Sequence, residues 1–140
     1  MADHRFDWRR VVNPVARIVL IVVYSILGLA ATGRATVQII ESFSEAPLAY
    51  TLSAISAALY VLIAVALWRG WETVALVGSS LELFGVLVVG TLGVVDSTLW
   101  PDETVWTGYG SGYGWVPVLL PLAALYFLIK GRQRRAAANR

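Results

Sequence analysis

Glu82 is the side chain whose type and position could do chemistry here. It is the only charge within VALVGSSLELFGVLVVGTLGVVD, residues 74–96, until the Asp96 that ends the run. The run is long enough to cross a bilayer as a helix, which takes about 20 apolar residues. A carboxyl near the middle of such a helix is costly unless it is protonated, hydrogen-bonded or facing protein. Two roles are open to it. It is either a proton-coupled or cation-binding carboxylate, or a structural hydrogen-bond anchor within the bundle or between subunits. In both, the neutral acid is the form expected at pH 7, because it can donate one strong hydrogen bond. Tyr24 and Tyr60 reach similar depth on neighbouring apolar runs, at about 1.5 Å per residue, and are the expected partners.

A second polar set is Arg34, Glu41 and Asp96. All three fall toward one end of their helices, where they could form an outer ion network. That network either tethers helices or receives a polar ligand. A third set is aromatic: Trp100, Trp106, Tyr109, Tyr113 and Trp115 crowd the one long loop and the entry to the run that follows. Rings at this density suit a loop lying on the membrane surface or folded over the outer mouth of a bundle. The doubled Gly-Tyr-Gly at 108–110 and 112–114 has the letters of a potassium filter. A filter also needs a pore helix before it and a ring of such loops, and no apolar pore helix precedes this one.

Other chemistries lack their residues. Cysteine is absent and His4 is the only histidine, so neither thiolate chemistry nor a typical transition-metal or haem site is expected, and no cofactor is. No Ser-His-Asp set, phosphate-binding loop or dinucleotide fingerprint is present. Without a paired acid and base, a lipid-directed enzyme is the weakest class and no catalytic residue is assigned. The basic tail is short, and lipid phosphate accounts for it without nucleic acid.

The elements that position these groups follow from composition and charge. Of 140 residues, 58% are hydrophobic and only 14% charged, far below the roughly 25% usual in soluble domains. The mean hydropathy is +0.69. An all-α, polytopic membrane protein is expected: a four-transmembrane-helix antiparallel bundle over residues 14–130. The spans are placed at about 14–38, 48–68, 74–96 and 113–130. Residues 1–13 form a cytoplasmic or interfacial segment in which Phe6 and Trp8 alternate with arginines. The first apolar run is too long for a signal-peptide core, so it is read as a retained helix. Residues 97–112 form the outer aromatic loop, and residues 131–140 a basic cytoplasmic tail. Pro121 should bend the fourth, short helix.

Two stripes of small residues, Gly28, Thr32 and Thr36 in the first helix and Ala49, Ser53 and Ala57 in the second, read as a close-packed hairpin seam. Arginine and lysine cluster before the first span, at the Arg69 turn and after the fourth, while the two opposite connections carry only acids. The positive-inside rule, which every arginine except Arg34 obeys, therefore places both termini in the cytoplasm. A multi-pass protein of the plasma membrane is expected.

The basic-aromatic start, the SLELFGVLVVGTLGVVD helix and the PDETVWTGYGSGYGWVPVLLP segment together resemble small four-helix integral membrane proteins of actinobacteria that have no assigned function. That resemblance implies the fold over most of the chain and no activity. Small multidrug-resistance transporters are similar in size and span number but carry their essential carboxylate in the first helix, where this chain has none in the central portion. The reading that suits short loops and small-residue faces is an accessory or scaffolding subunit of a larger membrane complex. Its partners are lipids and another integral membrane protein or further copies of itself. The alternative is a small oligomeric proton-linked transporter or channel using Glu82.

Overall fold

A computed structural model describes residues 14–42, 44, 47–96, 104 and 106–138. Among them every regular element is helical: α1 (Pro14–Ser42), α2 (Pro47–Arg69), α3 (Glu72–Val95), a 3-10 segment (Thr107–Tyr113) and α4 (Val116–Ala138). Helices α1, α2 and α3 are each long and apolar enough to cross a membrane. Helices of that kind point to a membrane protein. The interfacial segment 1–13, Trp100, the acids of residues 102–103 and the end of the basic tail lie outside the described residues.

Local chemistry sets the helix ends. Pro14 and Pro47 each open a helix, where a missing N–H and a fixed φ do no harm. Gly70 closes α2 in the left-handed region at φ +78, and the Trp71 N–H reaches back to the Ala66 carbonyl at 2.8 Å. This is the six-to-one bond of a glycine-terminated helix. It lets the chain reverse at once into α3. Pro117 falls in the first turn of α4, and Pro121 is accommodated inside that helix.

The most extensive packing is between α1 and α2, and α3 then packs on α2, on α4 and on the 3-10 segment. Leu20, Tyr24, Leu27, Ala31 and Ala35 form the buried stripe of α1. Gly28 belongs to the seam: a Cβ there would sit 3.1 Å from Val61 Cγ2. Thr32 and Thr36 do not lie in it. They stand exposed at its edge, one position along from the buried alanines. On α2, Ala49, Ser53 and Ala57 are all buried.

The fourth helix differs from expectation at both ends. It begins at Val116 rather than 113, because left-handed residues occupy the turn before it. It continues through residues assigned to the tail, as far as Ala138, since glutamine, arginine and alanine are strong helix formers. Arg132 Nε on that extension lies 2.9 Å from Oε1 of the buried Glu72. The contact fixes the end of α4 beside the start of α3.

Candidate functional site

The three residues expected at mid-depth meet. Counting about 1.5 Å per residue, Tyr24 is about 15 Å into α1 from Pro14, Glu82 about 15 Å into α3 from Glu72, and Tyr60 about 14 Å before the end of α2. Tyr24 donates its hydroxyl hydrogen to Glu82 Oε1 at 2.8 Å. The rings of Tyr24 and Tyr60 lie 6.2 Å apart, tilted by 46°. All three side chains are fully buried at 0% exposure within this single chain.

The lid of this cluster was not legible as such in the sequence. The 3-10 segment does not rest at the outer surface of the bundle; it re-enters and packs along α3. Trp106 is buried and donates its indole N–H to the Tyr60 hydroxyl oxygen at 2.9 Å. Its ring packs against Gly85, where a Cβ would stand 2.5 Å from the indole. Tyr109 sits on Gly90 in the same way, leaving no room for a Cβ, and its hydroxyl pairs with Thr91 Oγ1 at 3.0 Å. Gly85 is about 15 Å from the Asp96 end of α3 by helical rise, so Trp106 lies well into the bundle.

Irregular backbone at such depth is tolerated only where it is buried in protein and internally satisfied. Threonine hydroxyls supply the missing acceptors. Thr104 N–H donates to Thr107 Oγ1 at 2.8 Å, and Trp106 N–H donates to Thr104 Oγ1 at 3.1 Å. Gly108, Tyr109 and Gly110 are successive left-handed residues, with φ of 61, 60 and 83. Two glycines make that turn accessible and leave only Tyr109 with the side-chain penalty. The Gly-Tyr-Gly motif is thus a left-handed turn that delivers Tyr109 to α3.

Tyr113 is half-buried against the core, whereas Trp115 is exposed at the head of α4. Arg34 is half-buried, and Glu41 and Asp96 are exposed at the same end of the bundle. The polar cluster that the structure closes off is the one around Glu82.

Three members of the interior, Ser56, Ser79 and Glu72, escaped the sequence reading, and Ser53 entered it only as part of the small-residue seam. Ser53, Ser56 and Ser79 are each fully buried, as is nearly all of Glu72. Their signal was spacing. Ser53, Ser56 and Tyr60 fall at i, i+3 and i+7 on one face of α2, and Ser79 is three residues before Glu82 on α3. Ser56 Oγ donates to the Ser53 carbonyl at 2.7 Å. Ser53 Oγ, Ser79 Oγ and Glu82 Oε2 have no hydrogen-bond partner among the described residues.

These arrangements can hold a proton or a small hydrogen-bonding molecule. Among the described residues no group of three or more histidine, cysteine or acidic side chains is placed to hold a metal ion. Compared with protein-family models, with curated proteins and with solved structures, the chain matches none.

Proposed function

We propose that the protein is an accessory or scaffolding subunit of a larger bacterial plasma-membrane complex, seated against a transmembrane helix of another protein. One observation carries this reading: an open groove of about 710 Å3 runs between α1 and α2 on the outside of the bundle. Thr32, Thr36, Ala54 and Ala58 line it, over a floor of Ala35 and Ala57, with Ile39, Val61 and Leu62 among its walls. Large apolar side chains facing outward are ordinary in lipid. A lane of small ones is what lets another helix approach closely enough for dispersion contacts to hold it. Thr36 donates its hydroxyl to the Thr32 carbonyl at 2.7 Å, so the lane presents no unmet donor there.

The rest of the molecule supports this reading over a carrier assembled from several copies around Glu82. That carboxyl is already enclosed by its own chain and capped by its own loop, which leaves it nothing to offer an intersubunit interface.

The proposed topology has four spans with both termini cytoplasmic. Lys130, Arg132 and Arg134 on α4 share an end with the Arg69 turn, while Glu41 and Asp96 mark the other. The apolar part of α4, residues 116–129, extends only about 20 Å. The long stems of Lys130 and Arg132 can bridge the remainder to the headgroups. Gentle solubilisation of native membranes, affinity capture and partner identification test the proposal. A stoichiometric heterologous membrane protein is expected, lost when Ala58→Trp fills the groove. Recovery of this chain alone, as monomer or homo-oligomer, would refute it.

A further inference from the structure

Helical serines and threonines in a dry environment ordinarily turn their hydroxyls back to the carbonyl four residues earlier. Ser25, Thr36, Thr51 and Ser80 all do so here, at 2.6 to 2.8 Å. Ser79 does not. Its neighbour Ser80, on the outward face, bonds to Leu76, while Ser79 is fully buried and keeps its hydroxyl toward the interior without a partner among the described residues. Ser79 lies beside the Tyr24 hydroxyl and one turn before Glu82 on the same face.

Glu82 presents the complementary need. Its Oε1 accepts from Tyr24, as the carbonyl oxygen of a neutral acid does. Its Oε2 is buried and has no hydrogen-bond partner among the described residues. Glu82 Oε2 and Ser79 Oγ are thus two buried oxygens without a partner among the described residues, one turn apart on α3, with the Tyr24 hydroxyl beside both side chains. Buried water is held by two to four such partners. Three side-chain oxygens are too few to replace the hydration shell of a metal cation, whose hard-cation sites take six or more oxygens.

We propose that Glu82 is a proton-binding site completed by a single water molecule, held between Glu82 Oε2, Ser79 Oγ and the Tyr24 hydroxyl oxygen. The water accepts from the Glu82 O–H and donates to Ser79 and Tyr24, so that Glu82 Oε2 and Ser79 Oγ each gain a partner. Tyr24 from α1, Tyr60 from α2 and Tyr113 from the loop are the titratable side chains around the site. Leu120, Ala124 and Leu128 are the core residues from α4, and Trp106 with half-buried Tyr113 covers it from the loop. Toward the start of α3, Gly78 packs against Ile63, where a Cβ would stand 2.8 Å from Ile63 Cγ1.

Infrared spectroscopy of the full chain in phosphatidylcholine vesicles tests this in H2O, D2O and 18O-labelled water. Glu82→Gln assigns the carboxyl band by its loss. The expected result is a carboxylic-acid band that shifts in D2O, together with an O–H stretch that moves with 18O. Ser79→Ala should raise the acid frequency and abolish the 18O-sensitive stretch, and Ser79→Thr should keep both. An acid band with no 18O-sensitive stretch in the wild-type protein would overturn the proposal in favour of direct side-chain contact. A spectrum unchanged by Ser79→Ala, or a carboxylate band that grows on adding sodium, would overturn it as well.

Discussion

At the scale of residues, the interior of this bundle is held by a few polar pairs in a setting where lipid supplies no hydrophobic drive between helices. Tyr24 to Glu82 joins α1 to α3, and Trp106 to Tyr60 joins the loop to α2. Hydrogen bonds of this kind contribute about 1–2 kcal/mol at most in membranes. Glu82→Gln retains an acceptor for Tyr24 and a donor for the second position, so folding should be preserved. Glu82→Leu leaves the Tyr24 hydroxyl buried without an acceptor and should lower stability by about 1–2 kcal/mol. Thermal retention of monodisperse protein in detergent reads the difference, and equal retention by the two variants would contradict the anchoring role. The seat of Trp106 makes a sharper demand. Gly85→Ala places a methyl against the indole ring, which cannot yield without leaving Tyr60. Overpacking of this sort costs about 1–3 kcal/mol. Trp106 should move toward water, seen as a red-shifted emission component absent from Gly85→Ala combined with Trp106→Phe.

At the scale of elements, the hairpin of α1 and α2 depends on close approach at Gly28. Gly28→Leu should lower thermal retention by about 1–3 kcal/mol through contact with Val61 and Tyr60. Leu29→Ala, at a position 78% exposed, should change it by less than about 0.5 kcal/mol. Val61 itself is no neutral control, because it forms the other half of that contact. Helix spans and the common depth of Tyr24, Tyr60 and Glu82 were legible because apolar length and helical rise are one-dimensional properties of a chain. The seam was legible only in part: spacing of four marked Gly28, but a stripe four apart drifts off a helix with 3.6 residues per turn, and by Thr32 it had left the interface. The descent of the loop was not legible. Trp106 and Tyr109 find their seats on Gly85 and Gly90 through tertiary fit, and on their own those glycines read only as places where α3 lacks bulk. Ser79 hid in the same way, since a serine in an apolar helix ordinarily satisfies itself and only its rotamer shows that this one does not.

At the scale of the whole molecule, the proposed orientation rests on the charges and the proposed use on the outer face. A reporter fused after residue 140 should give the cytoplasmic signal, and one inserted at residues 97–103 the opposite one. An extracytoplasmic C-terminus would refute four spans, and with them the pairing of α4 alongside α3 that sets Arg132 beside Glu72. Among the faces left open, once loop and core are closed, is the small-residue groove of α1 and α2. The most direct test of an accessory role is site-specific photocrosslinking in native membranes, with the reactive side chain at Ala58 in the groove and at Val77 on the outer face of α3 as the comparison. The account predicts a single discrete protein adduct of another membrane protein from position 58 and only lipid adducts from position 77. Adducts of this chain with itself, or lipid alone at both positions, would contradict it.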